Sequence, residues 1–414
     1  MRTAFRAEQL TDPHMKDAEK ALRTCVHCGF CTATCPTYLV LGDERDGPRG
    51  RIVLMQHMLE SNAPPTPETV KHLDQCLSCL GCRTACPSGV DYSALIDTAR
   101  IHIAKTYKRP LFERFFRIFV LYVLMRPELF SLASGAARIF GPLLPGKLGA
   151  MARKVPRVRS RVHARAETPS TSPTARRVML LKGCVQSVLA PQVDDAAKRV
   201  FARQGMNTTP LPGCCGSLAY HMGRESIAKR EAKRVIAAFE TSRADAFSIT
   251  ASGCAAFIKD YGRVLADEPE WAARASAFAA KVKDFSELAE PITAPISDHG
   301  LRDLTVAYHP PCSLQHGQRL HGRGEALLTA AGFRLAPIPD AHLCCGSAGS
   351  YSLLQPAIAD ELRARKLAAI RSTGADVIAS ANIGCLTHLA GELPTVHIAE
   401  LLDWAGGGPK PDFG

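Results

Sequence analysis

Cysteine is the residue type that stands out, because a thiolate is both a soft metal ligand and a reactive nucleophile. There are 16 cysteines in 414 residues, and most stand in tight spacings. Cys25, Cys28, Cys31 and Cys35 fall in one short run closed by Pro36, and Cys76, Cys79, Cys82 and Cys86 repeat it, closed by Pro87. A zinc site takes four ligands, usually as two pairs with a longer gap between them. Two runs of C-x2-C-x2-C-x3-C-P fit that pattern poorly and fit the iron corners of 4Fe–4S cubanes well. Eight more cysteines form two later sets: Cys184, Cys214, Cys215 and Cys254, then Cys312, Cys344, Cys345 and Cys385. Corresponding members lie 128 to 131 residues apart, so the second set is a copy of the first. Buried free thiols are the bland reading of these eight, and their repeated spacing argues against it. Adjacent cysteines can bridge irons in an opened cluster or supply two of four zinc ligands. The spacing leaves the metal open between an additional iron–sulfur cluster and zinc.

The N-terminal spacing is that of bacterial two-cluster ferredoxins, in which the fourth cysteine of each run ligates the other cluster. That logic assigns Cys25, Cys28, Cys31 and Cys86 to one cluster, and Cys76, Cys79, Cys82 and Cys35 to the other. Gly29 and Gly81 lack a Cβ and let the loop backbone approach the cluster closely. Arg49 and Arg51 either tune a cluster potential or form the solvated start of a helix. His27 and His72 are expected to be ordinary surface or packing histidines, since neither run needs another ligand.

These ligands must be held by a framework, and its elements are readable. Residues Pro48–Ser61 have apolar positions at helical spacing, followed by the proline-rich stretch NAPPTPET, expected to end in a capping Thr before the next helix. From Tyr107 to Arg165, arginines alternate with Phe, Leu, Ile and Val, interrupted by Pro110 and Pro127 and ending in a dense basic run. An apolar face with a basic flank suits a membrane surface, and equally a helix hairpin packed on protein. Glu167 to Ala175 reads as a Ser/Thr/Pro-rich linker. Beyond it each copy alternates strand and helix. RRVMLLKG and LTVAYHP precede the opening cysteines, DAFSITASG and DVIASANIG lead to the closing ones, and ESIAKREAKRVIAAFET and QPAIADELRARKLAAIRSTG read as helices. The expected fold is therefore mixed α+β. A helical ferredoxin-type domain (1–106) is followed by a helical connector and linker (107–175) and two tandem α/β repeats (176–290 and 291–414).

Bulk composition narrows the function. With 46% hydrophobic and 22% charged residues the chain reads as globular. The opening residues are polar and charged with no apolar core of a signal peptide, and the cysteines do not form a disulfide framework, so a reducing cytoplasmic location is expected. The net charge is +12. Because much of that excess sits in the apolar connector, it points to a membrane surface or an acidic partner and away from nucleic acid. No run reaches the ~18 apolar residues a spanning helix needs.

The order of motifs, and above all RTCVHCGFCTATCPTYLVLGDERDGPRGRIVLM, HPPCSLQHGQ and CCGSAGSYSLLQP, resembles the iron–sulfur subunits of bacterial glycolate oxidase (glycolate dehydrogenase). Cys214-Cys215-Gly216 and Cys344-Cys345-Gly346 are the CCG motifs of that resemblance, shared with subunits of heterodisulfide reductase, lactate utilisation and anaerobic glycerol-3-phosphate dehydrogenase. The heterodisulfide reductase pattern closes with C-x-x-C, whereas Cys254 and Cys385 stand alone. The resemblance implies an electron-transfer subunit working beside FAD-binding subunits that oxidise glycolate to glyoxylate, or D-lactate to pyruvate. Electrons would then pass to quinone or another acceptor at the inner face of the cytoplasmic membrane. No G-x-G-x-x-G follows a strand, so the flavin belongs to the partners and no catalytic residue is assigned here. Readings from other classes are a heterodisulfide or quinone reductase-like subunit, a glycerol-3-phosphate dehydrogenase-like subunit, and a zinc-organised scaffold.

Overall fold

The computed structural model describes residues 1–140, 175–292, 300–301 and 303–413. The N-terminal part is helical. Helix α1 (Pro13–Thr24) has proline in its first turn, where no donor is lost, and the Asp12 carboxylate accepts the His14 amide. It is followed by α2 (Pro36–Leu41), α3 (Pro48–Ser61), α4 (Pro67–Asp74), α5 (Gly81–Thr84) and α6 (Tyr92–Thr106). The capping threonine is Thr66, whose hydroxyl accepts the Thr69 amide, so the proline-rich loop ends three residues earlier than the sequence reading places it. Ala18, Leu22, Met55, Leu59, Leu95 and Ile96 of α1, α3 and α6 pack into one core that fixes the cysteine loops between them.

The connector is a helix hairpin, α7 (Leu111–Leu124) and α8 (Pro127–Phe140), broken where the sequence puts Pro127. The basic run Arg153 to Arg165 lies outside the described residues, as does the linker as far as residue 174.

Each repeat builds a four-stranded parallel sheet. In the first, β1 (Arg176–Lys182), β2 (Met206–Pro212), β3 (Ala246–Ile249) and β4 (Val282–Asp284) take the order β2-β1-β3-β4. In the second, β5 (Thr305–Tyr308), β6 (Arg334–Leu335), β7 (Val377–Ser380) and β8 (Thr395–His397) take the order β6-β5-β7-β8. The central strands β3 and β7 are buried on both faces, as apolar runs in parallel sheets must be. The register is the same in both: Val178 pairs with Ala246, and Val306 with Val377. All eight repeat cysteines follow the carboxyl ends of strands, where open α/β sheets place their sites.

The halves are fused rather than strung together. Val178 to Leu181 and Val306, Tyr308 and Val377 belong to a single apolar core. The Ser252 amide donates to the Ala381 carbonyl at 3.1 Å, and a ring nitrogen of His397 lies 3.0 Å from the Thr250 carbonyl. The helical part docks on this body through Asp97, 2.7 Å from Arg263, and through Tyr351, which donates to the Gln75 carbonyl at 3.0 Å.

Candidate metal centres

Cys25 caps the end of α1, and the loop to α2 carries Cys28 and Cys31. Together with Cys86, which follows α5, they line one hollow, whose wall Cys82 of the second run also reaches. Gly29 sits at φ +87°, where a side chain would be strained and a Cβ would come 3.1 Å from the Arg49 guanidinium. Gly81 acts differently: a Cβ there would lie 3.2 Å from the Thr34 carbonyl, a tight contact that glycine avoids where the two cysteine loops cross. Burial and the neighbouring Cys25 and Cys86 thiols push the Cys31 thiol up to about 11.

The second group gathers Cys76, Cys79 and Cys82 with Cys35 from the first run. Burial and then the charges of their neighbours push Cys79 and Cys82 well above the usual thiol range. Thiolates packed this closely and this dry need a cation to hold their charge. Both donor sets therefore fit a 4Fe–4S group.

Arg51 is no solvated helix start. It is 1% exposed, its guanidinium is 3.9 Å from Cys35 Sγ, and it donates to Thr37 Oγ1 at 2.9 Å and to the His72 carbonyl at 2.8 Å. Asp46 accepts from it at 3.3 Å and lies 2.8 Å from His72 Nδ1, so His72 is a buried packing histidine. Tyr92 points its hydroxyl at Cys76 Sγ, 3.8 Å away. Arg49 stays on the rim, paired with Glu44 at 2.7 Å.

In the first repeat Cys184, Cys214, Cys215 and Cys254 lie together. Cys214 accepts hydrogen bonds from the Cys184 and Cys215 thiols and from the Gly216 amide (3.3 Å), which pulls it well below the usual thiol range while pushing its two neighbours up. In the second, Cys312 and Cys344 approach to 3.9 Å and the Gly346 amide points at Cys344 Sγ from 3.5 Å. Cys345 and Cys385 share their surroundings with His309, the ligand atoms of all three lying within 4.8 Å of one another. Burial pushes the His309 imidazole down to about 3.

The second ferredoxin-type group abuts the second repeat. Cys79 and Cys312 pack with Leu77, Cys344 and Tyr351 in one apolar cluster. His316 spans the same boundary, 2.7 Å from the Thr84 hydroxyl and 2.9 Å from the His342 carbonyl. His309 and His316 escaped the sequence reading, although His309 stands three residues before Cys312 in a quoted motif. For Arg51 the sequence leaves two roles open, tuning a cluster potential or starting a solvated helix, and its burial beside Cys35 excludes the second.

Comparison with known proteins agrees with this anatomy. A 4Fe-4S dicluster domain matches residues 21–90, and a cysteine-rich domain (CCG) matches residues 178–259 and again 306–390. The glycolate oxidase iron-sulfur subunit of Escherichia coli (strain K12) is 40% identical over 98% of this chain and 99% of that protein. A probable glycolate oxidase iron-sulfur subunit of Bacillus subtilis (strain 168) is 33% identical over 94% and 95%. Lactate utilization protein A of Shouchella clausii is 29% identical over 55% of this chain and 98% of its own length. Among solved structures, a hypothetical protein from Helicobacter pylori shares the fold at a TM-score of 0.56 and 11% identity, covering 95% of this chain and 72% of that one. With the two cysteine runs, the two CCG repeats and 40% identity along nearly the whole of both chains, this chain belongs to the family of glycolate oxidase iron–sulfur subunits.

Proposed function

We propose that this chain is the electron-carrying subunit of a flavin-dependent 2-hydroxy-acid dehydrogenase that oxidises glycolate to glyoxylate. Oxidation removes two electrons and two protons from the substrate, which a flavin on partner subunits takes up. The clusters, when bound, supply one-electron steps. Cys25, Cys28, Cys31 and Cys86 hold one of them, and Cys76, Cys79, Cys82 and Cys35 the other. The eight cysteines of the repeats form two further metal sites. The chain divides at 106, 175 and 290 into helical domain, connector and two repeats.

The observation that carries this reading is the packing of Cys79 and Cys312 against one apolar cluster with Cys344, which brings the helical domain against the second repeat. At the other end of the route Cys28 is exposed, flanked by Val26 and Phe30, 67% and 66% exposed, an apolar rim suited to a flavin-bearing partner. Between them, burial of Cys76, Cys82 and Tyr92 keeps water away. The hairpin completes the picture. Phe112, Phe115, Phe119 and Tyr122 of α7 are exposed, while Arg109 and Arg117 are tied to Asp74 at 2.7 Å. None of the described helices is long and apolar enough to cross a membrane. The exposed face rests on the inner surface of the cytoplasmic membrane, where a quinone acceptor dissolves.

The test is anaerobic purification alone and with its flavin subunits. The N-terminal domain should account for about eight iron and eight sulfide. The isolated chain should carry no flavin and leave glycolate untouched, whereas the complex should reduce a dye or quinone, and D-lactate can be compared as substrate. Stoichiometric zinc with iron near zero, or flavin bound to the isolated chain, would overturn the proposal.

A further inference from the structure

The two repeats share a plan, yet their metal pockets differ in kind. Sheet register supplies the correspondence: Val178 and Val306 occupy the same rung, Leu180 matches Tyr308, and so Leu181 matches His309. A second landmark fixes the helices, because Gly216 packs on Ala228 as Gly346 packs on Ala359, which makes Val235 the counterpart of Lys366. Leu181 and Val235 are fully buried hydrocarbon. His309 and Lys366 are 1% and 4% exposed.

The backbone of His309 is pinned at the strand end, its amide donating to the Ala379 carbonyl and its carbonyl accepting from the Ser380 hydroxyl, each at 2.8 Å. Its Nδ1 is buried without a hydrogen-bond partner. A buried polar atom in that state is destabilising until something satisfies it, and here it sits in a ring beside Cys345 and Cys385. The Lys366 ammonium donates to the Asp340 carbonyl at 2.7 Å and lies within electrostatic reach of Cys345, Cys344 and Cys385.

We propose that His309 is a nitrogen donor to the metal of the second repeat, so that this centre is a mixed imidazole–thiolate site while the first repeat's is thiolate only. The inference rests on the reading of the repeats as metal sites. His309, Cys345 and Cys385 converge from three separate strand ends, and Cys344 or Cys312 completes a set of four. Nitrogen and sulfur donors together suit a borderline ion, zinc or the iron of a cluster. Binding releases thiol protons to solvent and changes no oxidation state. One fewer thiolate, with Lys366 beside it, leaves the second centre less negative than the first.

The experiment uses the full chain, purified anaerobically, with the metal beyond the roughly eight cubane irons identified by elemental analysis. If that metal is zinc, X-ray absorption should show one nitrogen at about 2.0–2.1 Å beside sulfurs at about 2.3 Å. If it is iron, pulsed EPR should show a nitrogen coupling that changes on labelling histidine with nitrogen-15. His309→Ala should abolish either signature and weaken retention of that metal at least about 10-fold, and Leu181→Ala should leave both unchanged. Sulfur-only ligation in the wild-type chain overturns the assignment of His309 whether or not the variant folds. Absence of any metal beyond the cubane irons overturns instead the reading of the second repeat as a metal site.

Discussion

Arg51 shows how one side chain serves both fold and redox chemistry. Its charge is fully buried, balanced by Asp46 and aimed at Cys35, so it is a fixed positive charge beside the second ferredoxin-type group. A nearby cation favours the more negative, reduced state of a cluster, and local charge is one of the terms that set cluster potential. Arg51→Met should therefore lower the potential of that group by on the order of tens of millivolts. It should also cost about 3–5 kcal/mol, because Asp46 is left as an uncompensated buried charge. A redox titration followed by EPR, with denaturant unfolding alongside, checks both. The double variant with Asp46→Asn should recover much of the stability and little of the potential. An unchanged potential in the single variant would make Arg51 a purely structural residue.

Among the elements, the α7–α8 hairpin departs furthest from what a globular helix pair needs. Val120 and Leu121 bury one side against the body, yet Leu111, Phe112, Phe115, Phe119, Leu132 and Ile139 face outward. Helical periodicity made this face visible in the sequence, but not which arginines were free. Arg109 and Arg117 turn inward to Asp74, and Arg126 stacks on Tyr122 at 3.7 Å. Phe112, Phe115 and Phe119 are 81%, 67% and 57% exposed, so replacing all three by Ser should shift stability by no more than about 0.5 kcal/mol each. Burying a phenylalanine contributes about 1.5–3 kcal/mol, so the triple variant should bind anionic vesicles at least ~100-fold more weakly in flotation assays. Retained vesicle binding with loss of the flavin subunits would identify the face as a subunit interface instead.

At the scale of the whole molecule, the join between the helical domain and the repeats depends on buried charge. Burial alone would raise the Asp97 carboxyl, but His221, 3.6 Å away, and Arg263, at 2.7 Å, more than offset that and hold it at about 2. A depressed carboxyl contributes stability that is fully present above its unfolded value near 3.9 and is lost as pH falls towards 2. At ~1.4 kcal/mol per unit the contribution is about 2–3 kcal/mol. Asp97→Asn should accordingly lower stability by about that much at pH 7, with the gap from wild type closing between about pH 4 and pH 2. Denaturant unfolding across that range measures it, and a gap independent of pH would show that the charge is not what matters.

Spacing alone was enough to place the eight N-terminal cysteines, the duplicated CCG sets and the strand before each opening cysteine, because tight loops and strand periodicity are local properties of a chain. β1, β3, β5 and β7 fall where apolar runs end at a cysteine, and the helices Glu225–Ser242 and Pro356–Arg371 where amphipathic segments were read. The short strands β6 and β8 carried too few residues for a period to show. Tertiary structure alone decided the rest. Arg51 stays undecided between a solvated first turn and a neighbour of the cluster until α3 and α4 close over it, and His309 looks like any strand-end histidine until Cys345 and Cys385 arrive from two other strands. The fusion of the repeats into one core joins residues well over one hundred positions apart, and the seating of Cys79 against Cys312 and Cys344 spans more than two hundred. Long-range packing of this kind leaves no period and no spacing in a sequence, since it depends on which faces the finished elements turn toward one another.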